Sequence, residues 1–315
     1  MSVRSAQQDA YGPIGRSEWM DVDWQQHLRW VRVEDRWMNI VDIGSGPPMI
    51  FIHGLSGCWQ NWLENIPHFA REHRVIAVDL PGFGRSEMPA DPISVNRYAD
   101  TIDALMGELD IDSAQIVGNS MGGFVGAELA ISHPARVQRL VLVAAAGLSI
   151  EHVRTIRTSG FRHRAENIAF FYIGWLASRS HQVAARPRLR HALLLIVAAH
   201  PSRLPPALTM EQVLGSGKPG FSDALEAMCT YPIRDRLERI ASPTLIVWGE
   251  KDRLVPVRDA SVFERLISDA RKIVYADTGH IAMMERPARF NADVLEFLHE
   301  RGEAAHAPAA GASAA

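Results

Sequence analysis

The run Gly118-Asn119-Ser120-Met121-Gly122-Gly123 sets a serine between glycines in the pattern G-x-S-x-G, directly after the apolar stretch Ala114 to Val117. A serine on so sharp a strand-to-helix turn has its Oγ pushed outward. The turn is possible because the residues two before and two after it, Gly118 and Gly122, bring no Cβ atoms into the crowded bend. The helix that opens behind Ser120 offers unpaired backbone N–H groups and a positive dipole end to a developing oxyanion. A serine hydroxyl is a poor nucleophile at neutral pH, so it needs a base, and the base needs an orienting carboxylate. Asp252, in Trp248-Gly249-Glu250-Lys251-Asp252-Arg253, and His280, in Asp277-Thr278-Gly279-His280, supply both types in the chain order Ser, Asp, His. Glu250 is the alternative carboxylate, and Asp277 a weaker one because it lies so close to His280 in sequence. The chemistry is acyl transfer: Ser120 attacks a carbonyl, His280 moves the proton, and Asp252 stabilises the imidazolium.

Three loops so far apart in sequence meet only if a sheet gathers them. Short apolar runs alternate with segments of helical period, which predicts an α/β fold. The strands are expected at Leu28 to Val33, Met38 to Ile43, Met49 to Ile52, Val75 to Val78, Ala114 to Val117, Val137 to Ala144, Thr244 to Trp248 and Lys272 to Tyr275. Helices are expected at Trp59 to Glu72, Val95 to Leu109, Met121 to His133, Arg258 to Ile267 and Pro287 to His299, acting as crossovers of a mostly parallel eight-stranded sheet. The turn Gly44-Ser45-Gly46-Pro47-Pro48 is read as part of an antiparallel start. Ser120, Asp252 and His280 each follow a strand, so all three belong to the carboxyl edge, where open α/β sheets build their sites.

The alternation stops between about Gly147 and Ile240, where helical segments stand without a convincing strand. The expected division is a preceding segment (1–27), a core of 28–146 and 241–302, an inserted helical cap with its return segment (147–240), and a disordered Ala- and Gly-rich tail (303–315). Residues 147–219 hold ten Arg or Lys against Glu151, Glu166 and Glu211, a net +7 that leaves −10 for the rest of the chain. A solvated face packed on an acidic body accounts for this charge, with attraction of anionic substrates or membrane surfaces as the other reading. Over all 315 residues the net charge is only −3, which argues against a nucleic-acid partner, and the 47% of hydrophobic residues suffices for a large core. No apolar run is long enough to span a membrane, and no export signal is apparent. Two cysteines, Cys58 and Cys229, make neither a disulfide framework nor a thiolate metal site, so a reducing, cytoplasmic setting is expected. Cys58 reads as an inert thiol. No histidine pair stands at metal-ligand spacing, and no metal is expected.

Together with His53-Gly54 after the third strand, Asp79-Leu80-Pro81-Gly82-Phe83-Gly84-Arg85-Ser86 after the fourth, and Glu285-Arg286-Pro287 after His280, these motifs resemble the α/β-hydrolase family, in particular its members with a helical cap. The resemblance runs from about Trp30 to Leu298. It implies the α/β-hydrolase fold, a Ser120–His280–Asp252 triad, and an oxyanion hole formed by the backbone N–H groups of Leu55 and Met121. No cofactor is implied. His53, Gly82 and Gly84 are read as shaping loops, since the glycines lack a phosphate-binding context. Serine at position 120, where related dehalogenases and epoxide hydrolases carry Asp, implies an acyl-enzyme route. Gly-Asn-Ser-Met-Gly-Gly is also similar to the motif of meta-cleavage-product hydrolases, which break carbon–carbon bonds, and Asn119 makes that match. Those enzymes typically carry Trp after the catalytic histidine, whereas Ile281 stands here, so hydrolysis of hydrophobic carboxylic esters is the leading reading and carbon–carbon hydrolysis the alternative. A ligand sensor on the same fold is a third. Substrate contacts are expected from Asn119, Trp59, Phe161, Phe171, Trp175 and Ile281, with a cap arginine (Arg157, Arg162, Arg186 or Arg190) for a substrate carboxylate.

Overall fold

The structure, a computed structural model, describes residues 9–149, 182, 185–215 and 218–300. One sheet holds β1 (Leu28–Val33), β2 (Arg36–Ile43), β3 (Pro48–Ile52), β4 (Arg74–Val78), β5 (Ala114–Asn119), β6 (Val137–Val143), β7 (Thr244–Gly249) and β8 (Ala270–Tyr275), in the order β1-β2-β4-β3-β5-β6-β7-β8. The pairs β1/β2 and β2/β4 are antiparallel, and the remaining pairs are parallel. Helices in chain order are α1 (Ile66–Phe69), α2 (Val95–Glu108), α3 (Met121–Ser132), α4 (Pro187–Leu194), α5 (Pro206–Leu214), α6 (Phe221–Thr230), α7 (Arg258–Leu266), α8 (Ala282–Glu285) and α9 (Pro287–His299).

The central strands β3, β5, β6 and β7 are apolar over most of their length because helices cover both faces of the sheet. Alternate residues serve opposite cores: Ile50, Ile52, Ile116 and Leu142 pack with Ile102 of α2 and Phe124 of α3. Their neighbours Met49, Phe51, Val117 and Val143 pack with Trp62, Phe69 and Phe290 on the other side. Helix α3 is buried from Met121 through Ala130, so it is covered all round rather than amphipathic, and its one charged residue, Glu128, pairs with Arg236. No helix among the described residues is long and apolar enough to cross a membrane.

Two local expectations are corrected. The segment Trp59 to Glu72 is a 3-10 turn at Trp59–Trp62 followed by the short α1, not one helix. Pro67 lacks an N–H and its ring would strike the carbonyl four residues back, so a continuous helix cannot run through it. The turn at 44–48 joins strands that are not neighbours, since β4 lies between β2 and β3. Gly44 and Gly46 have φ of +83° and +114°, and a Cβ on either would come within 2.4 Å of a carbonyl oxygen in the 70–73 loop. The antiparallel start is instead the β1/β2 hairpin, turned by Glu34 and Asp35, both at positive φ.

The strand order reverses between β3 and β5: the chain moves one way from β3 to β4, then the other way from β5 onward. A crevice forms at such a switch point, outside the carboxyl ends of the strands. The loops leaving β3 and β5 therefore start side by side, with Ile52 paired to Gly118. At the other end, Gly249 pairs with Tyr275, which brings the loops of Asp252 and His280 together.

Candidate active site

Ser120 stands between β5 and α3 with φ 56° and ψ −115°, a conformation that costs a non-glycine residue roughly 1–3 kcal/mol. Its backbone is pinned in place. Ser120 N donates to Val143 O at 2.9 Å, and Ser120 O accepts from Phe124 N at 3.1 Å and Ala146 N at 3.0 Å. The side chain makes no capping bond to α3, which leaves Oγ uncommitted to the helix. Ser56, Ala144 and Asp277, in the loops after β3, β6 and β8, also have positive φ, so strained backbone collects along this one edge.

The glycines are required by contact. A Cβ on Gly118 would lie 2.2 Å from Gly122 O, and one on Gly122 would lie 2.1 Å from Ile52 O. Gly118→Ala is therefore expected to lower stability by about 1–3 kcal/mol and to displace the turn, abolishing any Ser120-dependent activity. Gly107→Ala, inside α2 with open space around the added methyl, is the contrast and should be neutral or stabilising by about 0.5–1 kcal/mol. Denaturation midpoints and rates of the two variants test this; equal midpoints would remove the steric argument.

His280 and Asp252 are both inaccessible to solvent, with side chains 4% and 0% exposed, and His280 Nδ1 lies 2.8 Å from Asp252 Oδ2. A carboxylate only accepts, so Nδ1 carries the proton and Nε2 keeps its lone pair. The other oxygen, Asp252 Oδ1, accepts from Leu254 N at 2.9 Å and Val255 N at 3.0 Å, which fixes the carboxylate plane. Neither alternative carboxylate takes that place. Glu250 Oε2 accepts from Asp277 N at 3.2 Å. Asp277 bonds His200 Nε2 at 2.7 Å and also Lys251, and these partners hold its carboxyl down to about 2.

Leu55 follows His53 and Gly54 in the loop leaving β3, and Met121 opens α3; Gly54 is so close to the Ser120 turn that a Cβ there would lie 3.1 Å from Ser120 Cβ. Backbone N–H groups of Leu55 and Met121 thus belong to the two loops that flank Ser120. His53 is wholly buried: Nδ1 donates to Gly54 O at 2.8 Å and Nε2 accepts from Leu80 N at 3.0 Å. Burial disfavours its charged form, and both nitrogens are spent on backbone. Asp79 braces the same loop, with Oδ1 accepting from Trp59 N at 2.8 Å and Oδ2 from Arg85 N at 2.9 Å and Asn39 Nδ2 at 2.8 Å. Gly84, at φ +53°, is needed because a Cβ would fall on that carboxylate.

Of the expected substrate contacts, Asn119 is turned inward. It is buried, and its Nδ2 donates to Val143 O at 3.1 Å and His280 O at 3.3 Å, so both N–H bonds serve backbone. Trp59 packs on Trp24, ring centroids 4.9 Å apart, within the core beneath the sheet. Ile281 is buried beside His280. Phe161, Phe171, Trp175, Arg157 and Arg162 lie outside the described residues; Arg186 is exposed and Arg190 half-buried. The Cys58 thiol is buried, and burial pushes it up, away from the reactive thiolate. No group of three or more His, Cys, Asp or Glu among the described residues could hold a metal ion. The described part of the chain between β6 and β7 bonds the loops leaving β3 and β4: Gly220 N donates to Gly82 O at 3.1 Å, and Gln212 Nε2 to Gln60 O at 2.9 Å.

Comparison with known proteins shows the family. The family described as alpha/beta hydrolase fold matches residues 47–287. The 2-hydroxymuconate semialdehyde hydrolase of Pseudomonas sp. (strain CF600) is 32% identical over 283 residues, covering 85% of this chain and 92% of that protein. The 2-hydroxy-6-oxo-2,4-heptadienoate hydrolase of Pseudomonas putida (strain F1) is 28% identical, covering 82% and 92%. Among solved structures, the meta-cleavage product hydrolase of Pseudomonas fluorescens IP01 superposes with a TM-score of 0.66 at 28% identity, covering 86% of this chain and 97% of the other.

Proposed function

Because the chain belongs to the alpha/beta hydrolase family, we propose that it is a serine hydrolase that cleaves a carbon–carbon bond beside the ketone of a conjugated 2-hydroxy-6-oxo-dienoate. One observation carries the reading: the Gly-Asn-Ser-Met-Gly-Gly turn and the His280–Asp252 pair share one sheet edge in a chain 32% identical, over 85% of its length, to a 2-hydroxymuconate semialdehyde hydrolase. Relatives named for this chemistry move the leading reaction away from the ester hydrolysis that the motifs alone favour.

Ser120 Oγ adds to the ketone carbon while His280 Nε2 takes its proton and Asp252 steadies the imidazolium. The Leu55 and Met121 N–H groups receive the oxyanion; a single donor of this kind is worth about 10²–10³ in rate. Before this attack the dienol ketonises, its 2-hydroxyl proton being exchanged for one on C5, so that the tetrahedral intermediate expels C5 with its electron pair delocalised onto the 2-oxo group as a dienolate, and the proton held by His280 passes to that fragment. Water, deprotonated by His280, hydrolyses the acyl-enzyme and frees a carboxylic acid and Ser120.

Ester hydrolysis is the second reading, favoured by Ile281, which sets an aliphatic wall rather than an aromatic plane next to His280. The test runs p-nitrophenyl esters from acetate to palmitate beside a 2-hydroxy-6-oxo-dienoate, with Ser120→Ala as the blank. The dienoate is expected to outrun every ester in kcat/KM. The reverse order, with a chain-length optimum, would establish an esterase.

A further inference from the structure

Glu285 is wholly buried in α8, the helical turn that follows His280, and no Lys or Arg among the described residues forms an ion pair with it. Neutral donors surround its carboxylate instead. Oε2 accepts from Tyr11 Oη at 2.5 Å, Ala199 N at 2.8 Å and Gly279 N at 3.0 Å, and Oε1 accepts from Gly279 N at 2.9 Å. Tyr11 Oη in turn accepts from His200 N at 2.9 Å, and its ring lies under the guanidinium groups of Arg203 at 4.5 Å and Arg286 at 5.2 Å. Gly12 N donates to Glu285 O at 2.7 Å. Three segments remote in sequence therefore meet on one carboxylate: residues 11–12, the insert's return segment at 197–200, and the histidine loop at 279–285.

These bonds converge on the peptide that carries the imidazole. The Gly279 N–H is held by Glu285, the His280 N–H by Val197 O at 2.7 Å, and the His280 carbonyl by Asn119 Nδ2. Val197 is itself placed by the 197–200 segment, which is anchored by Ala199 to Glu285 and by His200 to Tyr11. We propose that Tyr11 is a positioning residue for His280, acting through Glu285, and that the same hydroxyl fastens the insert's return segment to the histidine loop. This rests on the reading of His280 as the base at Ser120. The hydroxyl is the essential part, because it donates to Glu285 and accepts from His200 at once, which a phenyl ring cannot do. Burial pushes the Glu285 carboxyl up and the neutral donors pull it back, so loss of one donor weakens the hold on Gly279.

The test is Tyr11→Phe in the full chain, assayed on whichever substrate the wild type turns over, from about pH 5 to 9, with rates corrected for the folded fraction. An imidazole displaced by a fraction of an ångström loses rate rather than binding, since a 1 Å misplacement costs on the order of 10²-fold. The expected result is a kcat lower by about tenfold or more with KM within about twofold. Glu285→Gln should give the same signature and serves if Tyr11→Phe does not fold. Unchanged kcat, or a kcat loss matched by an equal change in KM, even with a lower Tm, would overturn the proposal and leave Tyr11 as packing. Turnover surviving in Ser120→Ala overturns the nucleophile and the proposal with it, whereas an inert Ser120→Ala beside normal Tyr11→Phe kinetics overturns the proposal alone.

Discussion

Ser120→Ala is expected to fold as the wild type does and to lose hydrolysis by about 10⁶-fold in kcat, the size of the loss when a protease's nucleophilic serine is removed. Folding should survive because the turn is held by backbone, through Ser120 N to Val143 O and Ser120 O to Phe124 N and Ala146 N, and none of these bonds uses the hydroxyl. Alanine meets the same cost at φ 56° as serine, so the strained backbone does not separate the two. The residual rate would come from the oxyanion donors and from binding, which the substitution leaves in place. The measurement pairs a thermal melt with product formation on the dienoate and on the best ester. A Tm within a few degrees of wild type together with turnover near wild type would remove Ser120 from the chemistry.

The elements that position this serine were legible because their physics is local. Strands such as Met49 to Ile52 and Thr244 to Trp248 stand out as apolar runs with proline before and glycine after, and the observed strands differ from the expected ones by only a residue or two at their ends. The G-x-S-x-G turn is legible because its glycines answer a steric demand that no other residue meets. What depended on pairing between distant segments was not legible. Nothing near Gly44 says that β4 will insert between β2 and β3, and the break at Pro67 was hidden under a helical period that continues across it. Asn119 illustrates the limit for single residues. Its type and place suggested a substrate contact, yet its amide is taken up by the carbonyls of Val143 and His280, which are 24 and 161 residues away in sequence. Tyr11 and Glu285 are 274 residues apart, and no composition or spacing signal could join them. The Glu285-Arg286-Pro287 motif was the one visible hint that the residues after His280 had a further task.

Asp252→Asn should cost on the order of 10⁴ in kcat while leaving the fold intact, and the reason lies in which way the amide must face. Leu254 N and Val255 N both donate to Oδ1, so an asparagine there keeps its carbonyl oxygen at that position and presents its NH₂ where Oδ2 stood. That NH₂ then confronts His280 Nδ1, 2.8 Å away in the wild type, with a donor instead of an acceptor. The neutral imidazole accepts from the amide only with its single N–H proton on Nε2 instead of Nδ1, and Nε2 is the nitrogen that has to receive the proton of Ser120. The base is thus blocked by a tautomer change rather than by a shift of atoms, and the imidazolium also loses its counter-charge. A pre-steady-state assay should show the acylation step slowed with KM little altered. Glu250→Gln and Asp277→Asn should each stay within about tenfold of wild type, since their carboxylates bond Asp277 N and the His200–Lys251 pair and not the imidazole. A loss in either that exceeds the loss in Asp252→Asn would transfer the orienting role to that residue and would mean that the observed Nδ1 contact is not the one used in turnover.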